Sequence, residues 1–455
     1  MSPYLLYPLS FLAVLGLLIV VHEWGHYAAA KLLGVRVEVF SVGFGPRLFG
    51  FRKGDTDYRV ALIPLGGYVK MSGENPMEPA TGDPGEFTSH PRWHRFLIAI
   101  AGPFMNVALA VGLLTALYTV HFERPAAWDE PALVGWVKAE SPAAKVGMQP
   151  GDLITSIDGL ANPKWEQIYY KTALNANQPL SVVAQRGGQT LNFTVVPEPV
   201  GIDRNGSAGW TPDEPVEITG LTKDASSKDM PAAKAGLQVG DVIAEADGKA
   251  IHPLAALQKY LQETKGKPVD FTILRHGKEM KVAVQPILDN ADGGKEPVYR
   301  IGVISYRVKV LHLPLREAWS TSLSENRKSS FLVLELLNKL AHGKVSIRQV
   351  EGPIRIGQAA GDAVEEGLQD KSWFHLMELV AAISLNLGVF NLLPIPIMDG
   401  GVIMLLCFEG LMRRDISLVV KERIYQTAFV FLIIFASVVI FNDVSKVFFS
   451  GGRLP

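Results

Sequence analysis

Four uncharged stretches limit what this chain can fold into. About 20 consecutive apolar residues cross a bilayer core as a helix. Residues 4–21 (YLLYPLSFLAVLGLLIVV), 96–120 (FLIAIAGPFMNVALAVGLLTALYTV), 379–398 (LVAAISLNLGVFNLLPIPIM) and 425–442 (YQTAFVFLIIFASVVIFN) carry no Asp, Glu, Lys or Arg. They predict a multi-pass α-helical membrane protein with four transmembrane helices. Composition agrees, with a mean hydropathy of +0.18, 48% hydrophobic and only 20% charged residues. Such a chain is not disordered as a whole. Its 44 Lys+Arg against 45 Asp+Glu leave no basic footprint for nucleic acid. A single cysteine, Cys407, excludes an intramolecular disulfide and a cysteine-built metal cluster. No Lys or Arg precedes the first run and no small-residue cleavage signature follows it, so it reads as a retained span.

Basic residues in the loops set the expected orientation. Residues 34–95 hold Arg36, Arg47, Arg52, Lys53, Arg59, Lys70, Arg92 and Arg95, and the loop between the last two spans holds Arg413, Arg414, Lys421 and Arg423. With four crossings both loops share one side, which is then cytoplasmic. Both termini and the long 121–378 segment fall on the other side.

That segment repeats itself. SPAAKVGMQPGDLITSIDG (141–159) aligns with MPAAKAGLQVGDVIAEADG (230–248) at an offset of 89, with 11 of 19 positions identical. Two copies of one module follow. Each has a Pro-Ala-Ala helix start, a Gly turn (Gly147, Gly236), a Gly-Asp leading into a strand, and an Asp-Gly turn. The pattern resembles the PDZ domain. Its peptide-carboxylate loop is matched only approximately, by Val134-Gly135-Trp136-Val137 and Ile218-Thr219-Gly220-Leu221. Beyond the repeat, residues 314–342 have helical periodicity. They fit either a connector packed on the second module or a helix lying in the membrane interface. The expected organisation is a membrane core part at 1–122, PDZ modules at 123–210 and 211–290, a connector with amphipathic helices at 291–375, and a second membrane core part at 376–455.

Chemistry concentrates at two points on these spans. His22-Glu23-Trp24-Gly25-His26 is an H-E-x-x-H. Positions four apart share a helix face, so two imidazoles reach one Zn2+ while the intervening Glu23 approaches a water on the ion. Two His and a Glu that continue directly from an uncharged run are expensive at membrane depth and point to function. Asp399 closes the third run in NLLPIPIMDG (391–400), where Pro394 and Pro396 stop the helix and force irregular backbone to line a protein cavity. Asp399 is therefore the candidate third ligand. A boundary Asp capping a turn fits the local sequence too.

Together these motifs, with Val42-Gly43-Phe44-Gly45-Pro46, ALIPLGGYVK (61–70), Gly102-Pro103 to Asn106 and Glu351-Gly352-Pro353-Ile354, resemble the site-2 protease family of intramembrane zinc metalloproteases over nearly the whole chain. Met398 stands where the family usually has Leu, a swap that conserves volume. The resemblance implies that His22, His26 and Asp399 hold zinc and that Glu23 is the catalytic base. It implies substrate contact for Asn386 and Asn391, whose other reading is interhelical hydrogen bonding. It places a membrane-dipping β-hairpin over 60–70, where Gly66, Gly67 and Tyr68 are expected to bind substrate; an ordinary cytoplasmic hairpin is the alternative. Single-span membrane substrates of the anti-sigma-factor type, leftover signal peptides, an upstream site-1-type protease acting first, and PDZ modules that restrict access all come with the resemblance. So does the bacterial inner membrane as location.

Two other classes use the same residues. One is a membrane-tethered scaffold whose metal site is structural, and the other a zinc enzyme of different chemistry. The latter usually needs more His ligands. The one further i,i+4 histidine pair, His90 and His94, is expected in a polar loop before the second span.

Overall fold

The computed structural model describes residues 3–74, 82–223, 228–289 and 297–449. It divides into two compact units, Met1–Phe122 with Leu311–Pro455, and Glu123–Val310. Residues 291–296, which open the expected connector, lie outside the described residues.

The first unit is built on helices. α1 is Pro3–Leu32 and α2 is Arg92–Val120. After the second unit the chain continues as α3 (Leu315–Ala341), α4 (Pro353–Asp370), α5 (Phe374–Asn391), α6 (Asp399–Met412) and α7 (Leu418–Phe449). Among the described residues, four helices are long and apolar enough to cross a membrane: Leu5–Leu32, Arg92–Val120, Phe374–Asn391 and Leu418–Lys446. The third is offset from the uncharged run that predicted it. It starts at Phe374 and stops at Asn391, because Pro394 and Pro396 have no N–H to give and their rings clash with a continuing helix.

Between α1 and α2 lie two long antiparallel strands, β1 (Val37–Lys53) and β2 (Thr56–Met71). The sequence predicts a hairpin confined to 60–70; the structure makes that stretch the second limb of a longer one. The register explains why. Residues 39–42 pair with 67–70 on one side and with 57–60 on the other, and 57–60 pair in turn with 49–52. Sheet order is therefore 67–70, 39–42, 57–60, 49–52, with 67–70 at an edge. Gly43 (φ +92°) and Gly45 (φ +87°) let β1 turn out of line after its first limb.

Apolar packing joins these pieces. Ala30 of α1, Val35, Val37 of β1, Val69 and Met71 of β2, and Ile98 of α2 form one buried cluster. Val14 and Leu18 of α1 meet Ala360 of α4 and Val380 of α5 in another. The buried acid of α7 is a cap: Asp443 accepts from the N–H groups of Gly352 (3.1 Å), Ile354 (2.8 Å) and Arg355 (3.1 Å) at the start of α4. Those donors would otherwise have no partner in their own helix. α3 packs on α2, with Ser322 Oγ donating to Val111 O at 2.8 Å, so its buried face belongs to the first unit. Leu315, Trp319, Leu323, Phe331 and Leu334 of α3 are exposed.

In the second unit the two repeat copies make equivalent bonds. Arg186 Nε donates to Asp152 Oδ1 at 2.6 Å and Arg275 Nε to Asp241 Oδ1 at 2.7 Å. The same guanidinium groups donate to Gly147 O and Gly236 O, both at 2.8 Å. Asp158 and Asp247 each accept a backbone N–H, from Ser181 and Asp270, at 2.9 Å. Each copy folds a small antiparallel sheet over its own core, around Ile154, Ile168 and Val182 in one and Ile243, Leu257 and Phe271 in the other. Burying each such side chain contributes about 1.5–3 kcal/mol. Phe122–Pro125 and Val308–Leu311, where the chain enters and leaves, pair with each other.

Candidate metal centre

His22 and His26 lie well inside the 30-residue α1, one turn apart on one face. Their rings meet edge to face with centroids 4.8 Å apart. Close approach of α2 makes this possible. A Cβ on Gly25 would run into the Ala101 carbonyl, and one on Gly102 would collide with both imidazole rings. Asp399 arrives from the other half of the unit as the first residue of α6. A carboxylate is favoured there by the free N–H groups of the first turn.

The donor atoms form a compact triangle. His22 Nε2 is 3.1 Å from Asp399 Oδ2, His26 Nε2 is 3.4 Å from Asp399 Oδ1, and the two Nε2 atoms are 3.2 Å apart. Ligands at roughly 2.0–2.1 Å in a tetrahedron stand about 3.3 Å from one another. The donor set and its spacing thus fit a zinc ion with one coordination position left over. Among the described residues this is the group of three His, Cys, Asp or Glu side chains that could hold a metal.

Glu23 faces the same space, and its Oε2 accepts from the Val69 N–H at 3.0 Å. His26 Nδ1 lies 2.8 Å from Ile98 O. Donation to that carbonyl puts the proton on Nδ1 and leaves Nε2 as a lone pair for a metal. A cavity of about 930 Å3 opens over the group, lined by His22, Glu23, His26 and Asp399 together with Tyr68 and Asn391. Gly67 is buried beside Ser41 and Glu23. Gly66 sits behind Tyr68 against Phe44 and Ile19, and Tyr68 stacks on Phe44. Asn386, half-buried on α5, is not among the residues lining the cavity. His90 and His94 contact each other (Nδ1 to Nδ1, 3.0 Å) and are not among the residues lining the cavity; His94 lies in the first turn of α2 and not in the expected loop.

The sequence names Asn106 only as the end of the Gly102-Pro103 motif and gives it no role at the site. It is fully buried on α2 with Nδ2 3.1 Å from His22 Nδ1. Beyond that motif its signal was an amide in an otherwise apolar span.

The model for peptidase family M50 matches residues 10–435. The chain belongs to peptidase family M50, the site-2 protease family. Its relatives in that family align end to end. "Regulator of sigma-E protease RseP" of Escherichia coli K12 is 30% identical over 472 residues, covering 96% of this chain and 98% of that one. The protein of the same name from Salmonella typhimurium 14028s is 30% identical over 462 residues, with the same coverage. A Neisseria meningitidis relative whose name reads zinc metalloprotease is 31% identical over 461 residues, again 96% and 98%. The PDZ domain of the SdrC-like protein of Listeria innocua is 21% identical and covers 21% of this chain and 96% of its own. Its TM-score of 0.17 carries no argument about fold. As an M50 member the chain is a site-2-type zinc metalloprotease, in a family of regulated intramembrane proteolysis.

Proposed function

We propose that this chain is an intramembrane endopeptidase that cuts the transmembrane segment of single-span substrates. The observation that carries this reading is the convergence of His22, His26, Asp399 and Glu23 on one cavity, beside the 67–70 edge of the sheet, in an apolar helical unit. His22, His26 and Asp399 would hold zinc. When bound, the ion supplies Lewis acidity, polarising a carbonyl and making water acidic enough to attack near neutrality. Glu23 takes the attacking water's proton on its carboxylate and returns it to the leaving amine.

A helical substrate presents its carbonyls already hydrogen-bonded, so it must unwind first. In lipid each unpaired backbone group costs several kcal/mol. Strand addition to the 67–70 edge offsets that cost, and Gly66, Gly67 and Tyr68 shape this edge. Asn391, at the cavity wall, contacts the extended segment. Asn386 contributes only if a substrate reaches further along α5.

The relatives' names support an anti-sigma factor as the kind of substrate, and leftover signal peptides are proposed as a second on the sequence resemblance alone. The two repeat copies are proposed to be PDZ modules that restrict access to chains already trimmed by another protease. The basic loops support an inner-membrane orientation with both termini and these modules outside the cytoplasm. The deciding experiment co-expresses a tagged single-span substrate with wild type and Glu23→Gln and maps the cut. Wild type should cut inside the span and Glu23→Gln should not. Equal cutting by both overturns the role of Glu23.

A further inference from the structure

Asn106 is 0% exposed, and among the described residues its Oδ1 has no hydrogen-bond partner. Its Nδ2 lies 3.1 Å from His22 Nδ1. In this orientation the amide donates to a His22 lone pair on Nδ1. The imidazole proton would then sit on Nε2, the atom that faces Asp399 and His26. A neutral imidazole has one proton, so that tautomer cannot ligate through Nε2. The oxygen and nitrogen of a carboxamide exchange places by a half-turn of the side chain. After that turn Oδ1 accepts from His22 Nδ1–H and Nε2 is free, while the amide nitrogen takes the buried place that Oδ1 leaves. His26 already has the equivalent partner, the Ile98 carbonyl.

We infer that Asn106 is a positioning residue for the metal centre: its carboxamide oxygen holds His22 in the Nδ1–H tautomer with Nε2 directed at the ion. The residue is well placed to do so rigidly. Its own backbone oxygen accepts from Ser384 Oγ at 2.8 Å, so α1, α2 and α5 are tied together at this one position. The inference rests on the reading of His22, His26 and Asp399 as ligands.

The test measures zinc affinity of the full chain in detergent. Wild type, Asn106→Leu and Asn106→Asp, each checked for a monodisperse gel-filtration peak, are titrated against a chromophoric chelator. Leucine keeps the volume but cannot accept a hydrogen bond, whereas aspartate only accepts. Loss of an outer partner of a metal-bound histidine typically costs 10–100-fold in affinity. Asn106→Leu should therefore lose zinc about 10–100-fold more readily, while Asn106→Asp stays near wild type. A role in packing alone predicts the reverse, because it tolerates leucine and rejects a buried charge. Retention in both variants, loss in both, or loss only in Asn106→Asp overturns the inference. A wild type without zinc overturns the centre itself, and this inference with it.

Discussion

The Glu23 carboxylate accepts a hydrogen bond from the backbone N–H of Val69 at 3.0 Å. Val69 lies in the 67–70 limb of β2, which pairs with 39–42 on its inner side and forms an edge of the sheet among the described residues. The proposed base is thus fastened to the outer edge of a sheet. On the proposed strand addition, a peptide at that edge would lie beside Glu23.

Removing that donor should lower activity without removing the metal. Val69→Pro deletes the N–H at an edge position, where proline is tolerated. A hydrogen bond to a charged group contributes about 1.5–3 kcal/mol, which corresponds to about a 10–100-fold fall in kcat/KM. Val69→Ala keeps the N–H and should fall far less. Steady-state cleavage of a purified substrate, with zinc content measured alongside, compares the two. Equal loss in both variants would point to packing.

Substrate spans that unwind easily should be cut faster. A span carrying Gly or Pro near the cut site leaves fewer helical bonds to break than an all-Leu span. Initial rates on a matched pair of single-span substrates measure this. Equal rates would refute the unwinding step and the part assigned to the 67–70 edge.

Deleting the second unit should loosen selection and spare cleavage. Its end strands, Phe122–Pro125 and Val308–Leu311, pair with each other, so a short linker can replace Glu123–Val310. Untrimmed substrates should then be cut at rates approaching those of trimmed ones. If a well-folded deletion cuts neither, the unit takes part in substrate docking.

The second repeat copy should lose stability in acid. Asp241 is buried, and the Arg275 guanidinium together with the Gln238 N–H holds its carboxyl below the usual range. The folded state therefore binds fewer protons there than the unfolded chain. The stabilisation is complete above the unfolded carboxyl value, about 3.9, and fades as pH falls through the lower folded value. Melting between pH 6 and pH 2 should show this loss, and it should shrink in Arg275→Met. An unchanged slope in that variant would assign the acid sensitivity elsewhere.

What could be foreseen followed the range of each interaction. The apolar runs and the His22–His26 spacing are local properties, so the helices and the paired imidazoles were legible. Asp399 was legible as a ligand candidate because Pro394 and Pro396 break the helix beside it. The sheet order was not. Residues 39–42 take partners from 57–60 and 67–70 at once, and local alternation over 60–70 reports only one of these pairings. The end of α5 was legible in Pro394 and Pro396, but its start at Phe374, ahead of the uncharged run, was not. The place of α3 on α2, through Ser322, was beyond periodicity. So was Asn106, which lies 84 residues from the histidine it meets.

Zinc content tests the central claim most directly. The full chain is purified in detergent as wild type, Glu23→Gln and Asp399→Ala, and metal is counted per chain. Wild type and Glu23→Gln should each hold one zinc, and Asp399→Ala well under one. A wild type that holds none, or an Asp399→Ala that holds a full equivalent, would contradict a centre built from His22, His26 and Asp399.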